Sequence, residues 1–329
     1  MGVNIKQVAN RANVSPATVS KYLNGIKISA KNYQSIENAV KELNFNINEF
    51  ARGLRTNKSK TIGILLPELN SPFSMPVISV IENKLMEFGY STIICDFKSN
   101  PQLGKQKLDF MMNKKIDGLI VMPYYLDIKI LSEIKIPIVS IDAVIENVDC
   151  DCVIIDNAKI SYEATNYIIE HGHKKIAAIC GPENIYTMQE RLKGYVNACS
   201  DNKITINPEY IIYGNADMRT GYEAIQKLLD MTEPPTAVFA VNDDLMEGAL
   251  TALNDRVIKI GEDISFVGFD NVIIANIVNP KLSIVVQPLQ KIGETAANLL
   301  LSKLREKSDT TKIIKLKAEL LRQFSVCKI

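Results

Sequence analysis

In Val14-Ser15-Pro16-Ala17-Thr18-Val19-Ser20-Lys21-Tyr22-Leu23-Asn24-Gly25, Ser15 offers a side-chain oxygen to the free N–H groups of a helix start. Pro16 suits the first helical position, where its missing N–H costs nothing. The predicted helix runs from Pro16 to about Leu23, buries Val19 and Leu23 four residues apart, and stops at Asn24-Gly25. Upstream, Ile5, Val8 and Ala9 recur at helical spacing until Asn13 ends the run. Downstream, a third helix begins after Ser29 and places Ile36, Val40 and Leu43 on one face. Two short helices joined by a tight turn and braced by a third make a helix-turn-helix unit, whose second helix is the one laid in the major groove.

With Val19 and Leu23 turned inward, Pro16, Ala17, Ser20, Lys21 and Asn24 are left outward or flanking. Short side chains at the start of the helix let its backbone approach base edges, and Ser20, Lys21 and Asn24 reach bases or phosphates. Three short helices also occur in protein-interaction modules, and the charge pattern separates the two readings. Residues 1–60 carry ten Lys or Arg against three Asp or Glu, a net +7, while the remaining residues carry 28 against 34, a net −6. A basic head on a mildly acidic body points to double-stranded DNA as the partner of the head.

At 329 residues, with 47% hydrophobic and 23% charged content, the chain is about twice the usual single-domain length and ordinary in composition. It has no apolar run of membrane-spanning length. Its start, Met1-Gly2-Val3-Asn4-Ile5-Lys6, lacks the basic stretch and apolar core of a secretion signal, so a cytoplasmic protein without membrane contact is expected. Cys95, Cys150, Cys152, Cys180, Cys199 and Cys327 fall mostly in apolar runs and read as free buried thiols.

Beyond Lys60, short apolar runs alternate with helical stretches: Ile62 to Leu66, Ser91 to Phe97, Gly118 to Met122, Ile138 to Ile141, Val153 to Ile155, Ile176 to Cys180, Ala237 to Val241 and Ile264 to Val267. Continuous hydrophobicity within each run predicts strands buried on both faces, hence a doubly wound α/β body. Its repetition on either side of residues 150–160 predicts two similar lobes.

Ligands of such sheets sit beyond the carboxyl ends of the strands. That rule nominates Asn70, Ser71 and Phe73 after the first run, Pro123 and Tyr124 after Met122, and Asp142 after Ile141. In the second half it nominates Arg191, Asn242 with Asp243, and Asp270. An aromatic plate with a guanidinium, a carboxylate and an amide grips a hydroxyl-rich small molecule. Arg191 falls roughly 40° outside the stripe of Ile185, Met188, Leu192, Tyr195, Val196 and Cys199, which predicts a half-buried guanidinium; an arginine snorkelling into water fits the same geometry. An Asp or Asn after a strand also caps the next helix, and Phe73 also suits a core.

Catalytic chemistry finds no footing. His171 and His173 read as polar punctuation, Cys150-Asp151-Cys152 has neither redox nor zinc-knuckle spacing, and no Gly-rich phosphate loop or Gly-x-Ser-x-Gly elbow occurs. Neither enzyme nor cofactor is expected.

The run from Ile5-Lys6-Gln7-Val8-Ala9 through Val14 to Gly25 resembles the LacI/GalR family of bacterial transcription regulators. The likeness continues through Asn48-Glu49-Phe50-Ala51-Arg52-Gly53-Leu54-Arg55 and Ser59 to Ile64 and then covers the whole chain. It implies a small all-α helix-turn-helix DNA-binding domain at 1–46, a hinge helix and linker at 47–59, and a bilobal periplasmic-binding-protein-like domain of two doubly wound parallel sheets at 60–329. Crossovers between the lobes are expected near Asp156 and Val286.

The resemblance also implies that Ser15, Pro16, Ala17, Thr18, Ser20, Lys21, Asn24 and Arg55 serve the operator contact, with Ala51 and Leu54 entering the minor groove. It supports Arg191, Asn242 and Asp270 as effector contacts, with Asp243 as the helix cap; together with Asn70, Ser71, Phe73 and Tyr124 from the strand-end rule they make the expected effector site. Ile47 stands where the family usually has proline, and Lys21 where arginine is commoner, which exchanges a planar donor for a point charge. The implied function is a repressor that answers to a sugar or sugar derivative, with a purine as the alternative effector and a sugar-binding protein or enzyme as the alternative use of the body. No a/d heptad follows the last β-like run, so a homodimer rather than a tetramer is expected.

Overall fold

The structure is a computed structural model that describes residues 3–23, 26–45, 58–305 and 310–329. The chain divides into two compact units, Met1–Ser59 and Lys60–Ile329.

The first unit holds α1 (Ile5–Arg11), α2 (Pro16–Leu23) and α3 (Ala30–Glu42). Asn4 and Gln7 close the start of α1 with a reciprocal capping box. The Thr18 amide donates to Ser15 Oγ at 3.2 Å, which caps α2, and Ser29 does the same for α3. The chain turns between α1 and α2 through Asn13 at φ 51°, a left-handed position that asparagine tolerates. Val8, Ala9, Val19, Ile36, Ala39 and Phe45 form the core, and Leu23, Val40 and Leu43 pack half-buried at its rim. The expected hinge helix, Asn48 to Leu54, lies outside the described residues, as does Asn24.

The first lobe of the second unit runs β1 (Thr61–Leu66), α4 (Ser74–Glu87), β2 (Ser91–Asp96), α5 (Pro101–Asn113), β3 (Gly118–Val121), α6 (Lys129–Ser132), β4 (Ile138–Ile141) and β5 (Cys150–Ile155). The second runs α7 (Asn157–Glu170), β6 (Ile176–Ile179), α8 (Tyr186–Asp201), β7 (Ile211–Ile212), α9 (Met218–Leu229), β8 (Ala237–Ala240), α10 (Asp243–Asp255), β9 (Ser265–Phe269), α11 (Val272–Ile277) and β10 (Ser283–Val286). Then α12 (Leu289–Arg305) and β11 (Ile313–Leu316) return to the first lobe, and β12 (Glu319–Leu321) joins the second. The sheet orders are β11-β5-β4-β3-β1-β2 and β12-β10-β9-β8-β6-β7.

These orders make the lobes repeats of one another, with β1 to β5 matching β6 to β10. The chain crosses after Ile155, after Val286 and a third time between β11 and β12. Only the first two crossings are expected from the sequence; β11 and β12 are short, half-exposed edge strands without an apolar run. The parallel reading needs one correction, since β12 pairs antiparallel with β10. A second concerns β2, which is an edge strand with exposed Ser91 and Ile94 rather than one buried on both faces. The central strands β3, β4, β6 and β8 are buried throughout, as their continuous hydrophobicity requires.

All six cysteines are free, five of them buried and Cys327 half-buried. Among the described residues no helix is long and apolar enough to cross a membrane.

Candidate functional site

The carboxyl ends of strands from both lobes enclose a cavity of about 130 Å³. The first lobe supplies Ser71 and Phe73 ahead of α4, Tyr124 and Tyr125 after β3, and Asp142 after β4. The second supplies Thr187, Met188 and Arg191 on α8, Ala216, Asn242 and Asp243 around α9 and α10, and Asp270 after β9. Of the seven residues expected here, Ser71, Phe73, Tyr124, Arg191, Asn242 and Asp270 line the cavity, while Asn70 is exposed and does not. A larger groove of about 1030 Å³ lies on the second lobe beside Met218, Val257 and Phe324, but its polar residues, Thr251, Asn254, Lys259, Glu262 and Asn279 among them, are exposed rather than buried. Convergence, not volume, picks out the site.

Arg191 is its centre. The guanidinium is 3% exposed, which corrects the half-buried expectation and excludes snorkelling. A helix stripe counts only the helix's own packing, whereas Arg191 is also enclosed by α7, β9 and the opposite lobe. Its Nε donates to Asn157 Oδ1 at 2.8 Å, and its Nη1 to the Val241 carbonyl at 2.7 Å. Its Nη2 lies 4.0 Å from Asp142 Oδ2 across the lobes, and its plane stacks 3.8 Å over the Phe269 ring.

Asp142 and Asp270 follow equivalent strands, β4 and β9, in the two repeats. Both have positive φ, 63° and 69°, so the backbone is held at the end of each strand in a conformation that costs energy outside glycine. Asp142 accepts from the Tyr124 hydroxyl, and Asp270 accepts from Gln287 Nε2 at 2.9 Å. Burial pushes the Asp142 carboxyl up against the opposing pull of Arg191, and pushes Asp270 up to about 7. Burial also raises Asp243, and burial with the charges of Asp243, Glu247, Glu68 and Asp217 raises Asp244 to about 7. Tyr124 is driven well above the ordinary phenol range by burial and the neighbouring Asp142.

Asn242, not Asp243, caps α10: the Leu245 amide donates to Asn242 Oδ1 at 2.9 Å. Asp243 is the buried first residue of that helix. Sequence reasoning passed over Tyr125, Thr187 and Ala216; only Thr187 carried a signal, lying four residues before Arg191 on one helix face. His173 is no surface punctuation either. It is buried, with Nδ1 2.9 Å from Thr236 Oγ1 and Nε2 3.0 Å from the Cys327 carbonyl, and ties the segment after β12 to the second lobe.

In the first unit, Pro16, Ala17 and Lys21 are exposed on α2 and Ser15 is exposed just before it, with Thr18 and Ser20 half-buried beside them. The Ser15 and Thr18 hydroxyls lie 2.9 Å apart, so Ser15 serves the helix start. Ala51, Leu54 and Arg55 lie outside the described residues.

Two family models match the chain. One, for bacterial regulatory proteins of the lacI family, covers residues 4–48. The other, for periplasmic binding proteins and the sugar binding domain of the LacI family, covers residues 59–323. The chain is 32% identical over 98% of its length to the HTH-type transcriptional repressor PurR of Pasteurella multocida (strain Pm70), of which it also covers 98%. It superposes on the lac repressor dimer bound to operator and the anti-inducer ONPF with a TM-score of 0.86 at 22% identity, covering 99% of this chain and 100% of that one. On a LacI family transcriptional regulator from Enterococcus faecium with bound ribose the TM-score is 0.73 at 26% identity, covering 82% of this chain and 99% of that one.

Proposed function

The chain belongs to the LacI family of bacterial regulatory proteins, and on that premise we propose that its cleft takes a sugar or sugar derivative. It is a ligand-responsive, DNA-binding transcriptional repressor rather than an enzyme. The observation that carries the proposal is the convergence of Arg191, Asp142, Asp270 and Asn242 beside Phe73 in one half-open cleft lined by both lobes. Carboxylates and an amide around a single guanidinium match alternating hydroxyl donors and acceptors on a ring, and Phe73 offers an apolar face to it. The ribose-bound relative from Enterococcus faecium supports the same class.

The relatives named PurR support a second reading, a purine. A planar base is best held between rings on two walls. Here the aromatic residues lining the cavity, Phe73, Tyr124 and Tyr125, all come from the first lobe, and the second offers Ile185, Met188 and Ala216.

A cavity of about 130 Å³ is smaller than the roughly 300–1000 Å³ of ligand pockets. The lobes therefore part at the crossovers to admit a ring and close over it. On the DNA side, two chains place α2 in successive major grooves of a palindromic operator, with Pro16, Ala17, Thr18, Ser20 and Lys21 facing it. The finer assignments at Asn24, Ala51, Leu54 and Arg55 rest on the family resemblance.

A thermal-shift screen over sugars, sugar phosphates and nucleobases, followed by calorimetry, tests the assignment. Arg191→Ala and Asp270→Ala are each expected to cost about 1–3 kcal/mol of ligand binding, with operator binding in the absence of ligand retained. Unchanged ligand affinity in both variants overturns it.

A further inference from the structure

We propose that the effector carries a protonated amine on a hydroxylated ring, as a hexosamine does, and that anionic sugar derivatives are rejected. This rests on the reading of the cleft as a sugar site and names the charge of its ligand.

The first observation is the imbalance of charge around the cavity. Glu68, Asp142, Asp243, Asp244 and Asp270 line it, and among the described residues Arg191 is the one cationic side chain in the lining. Asp142, Asp243 and Asp270 are buried or enclosed, so water screens them little. Arg191 cannot balance them alone, because its Nε and Nη1 are already committed to Asn157 and Val241 and its face to Phe269. A phosphate or uronate entering this space would meet five carboxyl groups, of which Asp244 and Asp270 titrate near 7, and one engaged guanidinium.

The second observation is a shortage of donors. Thr187 Oγ1 lines the cavity, fully buried, and its contact with the Tyr124 hydroxyl falls short of a well-formed hydrogen bond. Gln287 Oε1, on the amide that holds Asp270, is buried and unpartnered. Asp142 and Asp270 each accept one side-chain hydrogen bond, from Tyr124 and Gln287, and an ionised carboxylate has room for several. A hydroxyl brings one donor and no charge. An ammonium brings three donors and the missing positive charge together, which satisfies both deficits with one group.

The test is calorimetry on the full chain with matched sets: glucosamine, glucose, N-acetylglucosamine, glucuronate and glucose 6-phosphate, the galacto and manno counterparts, and adenine, guanine and hypoxanthine. One amine is expected to bind at least about tenfold more tightly than its neutral parent, a difference of about 1.4 kcal/mol. Its acetylated and anionic counterparts are expected to fall below the parent. Asp270→Asn and Asp142→Asn keep shape and hydrogen bonding, and asparagine accepts the positive φ of both positions. Each should bring the amine-to-parent ratio towards one, with operator binding confirming that the variants are folded. A parent hexose or an anion that binds as tightly as the amine, or a preference that survives both substitutions, overturns this inference and leaves the sugar reading standing. Binding of a purine alone, or of no compound in the set, overturns the sugar reading and this inference with it.

Discussion

Asp270 shows what a binding residue costs the protein that carries it. Its carboxyl titrates near 7 in the folded chain, whereas an unfolded aspartate titrates at about 3.9. Between those values the folded state holds a proton that the unfolded state has released, so stability falls as pH rises through this window and stays low above it. Asp270→Asn has no proton to lose. It is expected to match the wild-type chain near pH 4 and to exceed it at pH 8 by up to about 4 kcal/mol, measured by urea unfolding at the two values. A stability difference that is the same at both pH values removes the argument. The sequence marked Asp270 and Asp142 because both follow strands. It did not show that both turn inward at positive φ, since that depends on which helix packs above each strand end. Arg191 was visible as a residue near an apolar stripe, but its burial depends on Asn157 and Asp142, 34 and 49 positions away in the chain.

At the scale of elements, the central strands and the three head helices were legible because each carries its own signal. A buried parallel strand is an unbroken apolar run, and a capped amphipathic helix announces its start and its face. The edge strands β7, β11 and β12 lack such a run, so pairing with a neighbour is what defines them. Helix packing was equally hidden. Gly221 on α9 and Gly248 on α10 face one another so closely that a methyl on Gly248 would overlap the Met218 carbonyl oxygen, and one on Gly221 the Leu245 carbonyl oxygen. Alanine would gain about 1 kcal/mol of helix propensity at Gly248. The group it meets is backbone and cannot rotate away, so overpacking, typically about 1–3 kcal/mol, outweighs the gain. Gly248→Ala should lower the midpoint of urea unfolding of the body, and a higher midpoint would mean that α9 and α10 slide apart freely. Because Asn242 caps α10, the same substitution is expected to weaken ligand binding.

For the whole molecule, the division of charge between a +7 head and a −6 body makes operator binding an ion-exchange reaction confined to one end of the chain. Neutralising about six to ten phosphates per pair of heads should cost roughly 10³- to 10⁵-fold in affinity between 50 and 200 mM salt. A flat response in a gel-shift or anisotropy titration would remove the electrostatic premise. On the expected homodimer the second head comes from a second chain, and the surface of the second lobe offers a place to hold it. Ile273 and Ile277, one turn apart on α11, are 73% and 75% exposed, and Val257 and Phe324 are 82% and 73% exposed. Val257 and Phe324 flank the groove of about 1030 Å³, whose lining includes Ile274 from α11. Single exposed apolar side chains are ordinary, but Val257 and Phe324 share one groove, and α11, which lends Ile274 to that groove, also exposes Ile273 and Ile277, so this side of the second lobe carries more apolar surface than isolated side chains would. A stable partner contact buries about 800 Å² on each side, and these four residues are its natural centre. Light scattering at micromolar concentration is expected to give two chains, not four. Joint substitution Ile273→Asp and Ile277→Asp should give one chain, with ligand affinity in the cleft kept and operator affinity lost, because a lone head forfeits half of its phosphate contacts and the spacing that the palindrome sets. A double variant that remains dimeric and binds operator normally would move the interface to another face of the body.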